Sequence, residues 1–207
     1  QKCSAASRAY IPASLCTKLQ PKLVDDVTAL KMGDVRDFRN LITAVIDERS
    51  FTKIKGYIDQ AKNDPKVKII AGGECDSSKG YFIRPTVILT TDPKSKTMQE
   101  EIFGPVLTIY VYEDSKFEET LKLCNETSPY ALTGAIISQD RHALHHMMSE
   151  LRQAAGNLYI NDKPTGAVVG QQPFGGARRS GTNDKAGSSL NITRWMSMRT
   201  VKENFVP

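Results

Sequence analysis

Apolar residues recur along the chain with two periods, and the switching between them sets the expected order of elements. Arg8-Ala9-Tyr10-Ile11 reads as a short strand, and Pro12-Ala13-Ser14 supplies a turn and a cap for a helix over 15–30. In that helix Leu15, Leu19, Leu23 and Val27 share a face. From Ser50 the spacing of Phe51, Ile54, Ile58 and Ala61 repeats the helical period until Asn63-Asp64-Pro65 stops it. A less regular link around Gly33-Asp34 joins the two helices. Strands are expected over 66–71, closed by Gly72-Gly73, over 81–90, and over 105–112, all rich in strand-forming residues.

After the polar turn Glu113-Asp114-Ser115, Phe117, Leu121 and Cys124 mark another helix. A strand over 132–138, a helix over 141–154 with Leu144, Met147 or Met148, and Leu151 inward, and a strand over 156–161 then form a β-α-β unit. Strands alternating with helices imply an α/β fold, a mainly parallel sheet flanked by helices, in which sites gather at the carboxyl ends of strands. From Asp162 the texture changes, with Gly166, Gly170, Gly175, Gly176, Gly181 and Gly187 spaced through one segment. A structureless loop of this length inside a compact domain is usually functional. Residues 189–201 read as a last strand that reaches away from the core.

Composition narrows the function classes. With 207 residues, 40% hydrophobic and 25% charged, the chain can bury one sizeable core, with room for an extension. The 28 Lys and Arg exceed the 23 Asp and Glu by +5, but they are spread out, and only Ala177-Arg178-Arg179 and the tail with Arg194, Arg199 and Lys202 are locally basic. No basic patch is interleaved with aromatics, so no nucleic-acid partner is expected. No apolar run approaches the length of a bilayer span, and no leader precedes Cys3, so neither a membrane span nor a targeting segment is expected in this chain. The four cysteines, Cys3, Cys16, Cys75 and Cys124, show neither a C-x-x-C pair nor zinc spacing, which favours a reducing compartment.

Candidate chemistry is confined to a few places. A reactive cysteine acts as its thiolate, and the small residues Ser4-Ala5-Ala6-Ser7 after Cys3 suit a turn whose N–H groups assist it; the alternative is an inert thiol. His142 and His146 share a helical face, but no neighbouring carboxylate or cysteine completes a ligand set, so no metal is expected. Neither G-x-G-x-x-G after a strand nor G-x-x-x-x-G-K-[ST] occurs. Glu100-Glu101-Ile102-Phe103-Gly104-Pro105 is either a capped turn entering a strand or a carboxylate for ribose hydroxyls beside an aromatic ring. The glycine-rich segment is either a surface loop or a set of backbone donors converging on an anion.

Taken in order, "QKCSA", "EEIFGPVL", "GNLYIND" and "QQPFGGARRSGTNDKAG" resemble the catalytic half of the aldehyde dehydrogenase superfamily, over essentially residues 1–207. The last motif narrows the likeness to the mitochondrial branch that acts on glutamate γ-semialdehyde, the open-chain form of Δ1-pyrroline-5-carboxylate, in proline breakdown. The resemblance implies an NAD-dependent oxidation through a cysteine thioester, with NADP left open by these residues. It implies Cys3 as nucleophile, Glu101 on the nicotinamide ribose and Phe103 near the nicotinamide ring. For the substrate it implies Ser4 and the turn Gly166-Ala167 at the amino-acid end, and Phe174 along the aliphatic part. Where relatives commonly carry Ser after that glycine, this chain carries Ala167, which removes one hydroxyl donor and leaves the backbone N–H groups.

The same resemblance implies a catalytic domain over 1–188 and a C-terminal oligomerisation strand and tail over 189–207. The dinucleotide-binding domain, the oxyanion asparagine and the glutamate that activates water are expected outside this chain, which is then expected to be inactive alone. A homo-oligomer in the mitochondrial matrix follows from the likeness. The alternatives are a non-catalytic short form that binds full-length subunits, or a dehydrogenase for another aldehyde.

Overall fold

The computed structural model describes residues 1–168 and 170–206; Val169, within the glycine-rich segment, and Pro207, at the end of the expected C-terminal element, lie outside the described residues. The chain forms β1 (Arg8–Pro12), α1 (Ala13–Thr28), α2 (Glu48–Lys62), β2 (Val67–Ala71), β3 (Cys75–Asp76), β4 (Phe82–Ile83), β5 (Thr86–Thr90), α3 (Lys96–Gln99) and β6 (Val106–Tyr112). It continues with α4 (Phe117–Glu126), β7 (Tyr130–Ala131), β8 (Thr133–Ile136), α5 (Arg141–Glu150), β9 (Asn157–Ile160), β10 (Ala177–Arg178) and α6 (Ser189–Thr193).

The main sheet has four strands in the order β1-β6-β5-β2. β6 lies parallel to both β1 and β5, whereas the edge strand β2 runs antiparallel to β5. Successive side chains of β5 and β6 point to opposite faces. Ile88 and Val106 meet Ile54 and Ile58 of α2 on one face, while Val87 and Ile109 meet Leu23 and Val27 of α1 on the other. The result is a helix-sheet-helix sandwich, the expected α/β class. A parallel pair, β8 and β9, packs with α4 and α5 around Leu121, Ile136, Leu144 and Leu151.

Three local departures have physical causes. In α1, Cys16 is buried whereas Leu15 and Leu19 are 49% and 50% exposed. At about 100° per residue, Cys16, Leu23 and Val27 form a narrower stripe than the one counted from Leu15, and a cleft of about 430 Å³ remains between the first half of the helix and Leu89 and Val111. The cap of α1 is not Ser14 but Asp114, whose carboxylate accepts the Ser14 N–H at 3.1 Å and the Ser14 hydroxyl. The strand expected over 81–90 divides into β4 and β5 at Arg84-Pro85, since proline brings no N–H to a ladder. Gly72, at φ +71°, passes so close that a Cβ would lie 2.1 Å from the Pro85 carbonyl oxygen.

The last correction concerns the C-terminal strand expected over 189–201. The described residues there form the short α6 and then no regular element. A strand needs a ladder partner, and the side chains of this segment, Trp195 at 84% exposure among them, lie against solvent. No helix of the described residues is long and apolar enough to cross a membrane.

Candidate active site

Cys3 occupies a tight turn closed by the Ala5 N–H donating to the Lys2 carbonyl at 3.1 Å. Its thiol is exposed, unlike those of Cys16, Cys75 and Cys124. Burial pushes those three thiols up from the ordinary cysteine range, which holds them in the protonated, unreactive form. The turn leads directly into β1, so Cys3 sits at the amino end of that strand, and the segment carrying Glu101 and Phe103 precedes β6 in the same position. This differs from the expected carboxyl ends. The site lies where the amino ends of β1, β6 and β8 come together and where the chain leaving β9 returns.

Side-chain hydrogen bonds bring the predicted residues together. The Gln1 amide donates from Nε2 to the Phe103 carbonyl at 3.1 Å and accepts at Oε1 from the Ile46 N–H at 2.8 Å. Ser4, only 3% exposed, shares a 2.7 Å hydrogen bond between its hydroxyl and that of Thr165. The Thr133 hydroxyl, at the start of β8, donates to the Ser4 carbonyl at 3.3 Å. The residues flanking Cys3 therefore reach the acidic-aromatic motif on one side and the glycine-rich segment on the other.

The conformation of Ile102-Phe103-Gly104 follows from its neighbours. Ile102 is buried in the core beneath α2, whereas Phe103 adopts φ 59° and turns outward to 40% exposure. A bulky residue in the left-handed region is strained, and such strain concentrates at functional sites. Gly104 permits the turn, because a Cβ there would lie 2.5 Å from Ile54 Cδ1. Glu101 is exposed, and its carbonyl accepts from Lys53 Nζ of α2 at 2.8 Å.

An open cleft of about 420 Å³ adjoins this segment, lined by Lys53, Tyr57, Glu100, Glu101 and Tyr130 among others. Tyr57 donates its hydroxyl to Glu100 at 2.5 Å, and this bond pushes the phenol up to about 12.

In the glycine-rich segment, Gly166 takes φ +106° and follows Thr165 directly, which sets Gly166 and the half-buried Ala167 next to Ser4's partner. Phe174 is half-buried and exchanges backbone hydrogen bonds with Ala186, at 2.9 and 2.8 Å. The histidines stand apart from this site: His146 meets the Glu118 carboxylate at 2.9 Å across α4 and α5. No cluster of three potential metal ligands occurs among the described residues.

Sequence reasoning passed over Gln1, Lys53, Thr133 and Thr165 as residues that build the site, and Asn157 and Lys185, which bond to Gly175 next to Phe174 at 3.1 and 3.0 Å. Asn157 carried a usable signal, since a polar residue at a buried strand position must find hydrogen-bond partners. The others act through contacts between segments far apart in sequence, which no local pattern reports.

The profile of the aldehyde dehydrogenase family matches residues 1–201. The chain is 65% identical over 207 residues to the mitochondrial Delta-1-pyrroline-5-carboxylate dehydrogenase of Dictyostelium discoideum, and 50% identical over 208 residues to that of Homo sapiens. Each alignment takes in 100% of this chain and 37% of the relative, so the chain spans little more than a third of their length. The crystal structure of the Delta-pyrroline-5-carboxylate dehydrogenase from Mycobacterium tuberculosis bound with NAD superposes with a TM-score of 0.89 at 50% identity, over 100% of this chain and 37% of that one. A match that runs from the Cys3 turn through the glycine-rich segment makes this chain a member of the aldehyde dehydrogenase family.

Proposed function

We propose that this protein oxidises glutamate γ-semialdehyde to glutamate with NAD, through a thioester on Cys3. One observation carries the reading: the exposed Cys3 lies in a turn whose flanking residues bond to Phe103 through Gln1 and to Thr165, beside Gly166, through Ser4. Relatives that bear the name of this activity, one of them solved with NAD, support the substrate and the cofactor.

Residues of this chain fit the cofactor. Phe103, turned out of the core, offers a flat apolar face, and the exposed Glu101 beside it offers a carboxylate to ribose hydroxyls. When bound, NAD supplies the acceptor for a hydride.

The chain's own groups do the rest of what can be assigned to it. Cys3 adds its sulfur to the aldehyde carbon, which turns a planar carbonyl into a tetrahedral alkoxide. The backbone N–H at Cys3 is one donor to that oxygen. Ser4 and the N–H groups of Gly166 and Ala167 hold the amino-acid end, and Phe174 packs on the aliphatic part, so the reacting carbon is fixed over the sulfur. Loss of the carbon-bound hydrogen as hydride to that acceptor would turn the tetrahedral carbon into a thioester, and water would then release glutamate and return the thiol.

The assignment of residues 1–188 to a catalytic domain and 189–207 to self-association is part of the same proposal. Exposed Leu190, Ile192, Trp195, Met198 and Phe205 support an association role for the tail. Mitochondrial placement rests on the relatives' names.

The test is NADH formation by the protein in its native length, with kcat/KM compared between glutamate γ-semialdehyde and aldehydes of equal chain length without the α-amino acid group. The proposal expects a preference of about a hundredfold or more for the former. Equal kcat/KM values would overturn the substrate assignment.

A further inference from the structure

Lys185 lies near the end of the glycine-rich segment, with φ 57°. Its ammonium donates to the carbonyls of Gly156 and Gly175, the latter at 3.0 Å, and reaches Asn157 Oδ1 at 3.4 Å. All of these acceptors are uncharged, and burial pulls the ammonium below the usual lysine range. A partly buried charge held by neutral oxygens is costly, and its return here is geometric.

The same residues, with Ala186, pair the backbone of Pro173-Phe174-Gly175. Asn157 Nδ2 donates to the Pro173 carbonyl at 3.0 Å, and Asn157 Oδ1 accepts the Gly175 N–H at 3.1 Å. Ala186 takes both the N–H and the carbonyl of Phe174. Lys185 takes the Gly175 carbonyl. Since proline has no N–H, every backbone polar group of the tripeptide is thereby paired, without any strand or helix. Close contact leaves no slack: a Cβ on Gly156 would lie 2.0 Å from the Gly175 carbonyl oxygen.

We propose that Lys185, together with Asn157, is a positioning residue that fixes the Phe174 ring and thereby sets selectivity for the aliphatic part of the aldehyde. This rests on the reading of Phe174 as a wall of the substrate site. Without the ammonium the Gly156 and Gly175 carbonyls lose their donor, and the ring loses its fixed place.

The experiment compares Lys185→Met and Lys185→Gln, each alone and with Phe174→Ala, in the native-length protein. Lys185→Met is expected to raise KM for glutamate γ-semialdehyde roughly tenfold while kcat changes less than threefold, and this effect is expected to vanish in the Phe174→Ala background. Amide exchange read on the same proteins should accelerate at Phe174 and Ala186 and stay unchanged in α2. Lys185→Gln keeps one donor, gives an intermediate shift, and decides the matter if Lys185→Met does not fold. A KM effect that persists undiminished beside Phe174→Ala, or unchanged exchange at Phe174 and Ala186, would overturn the proposal. Absence of turnover in the unsubstituted protein would instead overturn the substrate assignment, and the exchange result would still decide whether Lys185 holds Phe174.

Discussion

In the four-stranded sheet, backbone groups pair with one another along ladders, and α1 and α2 cover both faces with apolar side chains. In the glycine-rich segment a short backbone pairing of Phe174 with Ala186 is completed by side chains, with Asn157 bonding to Pro173 and Gly175 and Lys185 bonding to Gly175. The first region draws its shape from many interchangeable apolar contacts. The second depends on a few polar atoms at fixed positions, which can present N–H groups and an aromatic ring to a ligand. Cys3 joins the two regions, because its turn enters β1 while Ser4 bonds to Thr165.

Substitutions should separate these regions by size of effect. Ile58→Ala removes a side chain with 0% exposure and should cost about 2–5 kcal/mol of global stability in urea unfolding. Gly104→Ala brings a methyl to 2.5 Å from Ile54 Cδ1 and should cost about 1–3 kcal/mol, with Phe103 displaced as well. Thr165→Val breaks the bond to the buried Ser4 hydroxyl and should cost about 1 kcal/mol, seen as faster amide exchange around 162–168 with α2 unaffected. Equal effects of Ile58→Ala and Thr165→Val on α2 exchange would dissolve the distinction.

The smallest expected effect is one of pH. Hydrogen bonds from the Ser14 hydroxyl and N–H hold Asp114 below the usual carboxylate range. Its folded-state pKa is thus depressed, so its contribution is present above the unfolded value of about 3.9 and is lost as pH falls through the lower folded value. Asp114→Asn should flatten that acid-side decline, as followed by unfolding midpoints across the acid range, and should change little near neutrality.

Legibility in the sequence follows the same division. The face of α2 was readable residue by residue, because Phe51, Ile54, Ile58 and Ala61 are all buried at the expected spacing. In α1 the expected Leu23 and Val27 face the core, whereas Leu15 and Leu19 do not, because a cleft opens beside the first half of the helix, a tertiary fact that periodicity does not carry. Cys3, Glu101, Phe103 and Gly166 enter as candidates through motifs. Gln1 and Thr165, which place them, act across gaps of 102 and 161 residues. The expected final strand failed because an exposed segment's conformation depends on a ladder partner that the sequence does not supply.

The central claim is that Cys3 carries the acyl group during turnover. Its most direct test is mass spectrometry of the native-length protein, acid-quenched during oxidation of glutamate γ-semialdehyde and digested for peptide mapping. The account predicts a glutamyl group in thioester linkage on the peptide containing Cys3, and none in Cys3→Ala, which should form no NADH. Turnover retained in Cys3→Ala, or an acyl group on Cys16, Cys75 or Cys124, would contradict it.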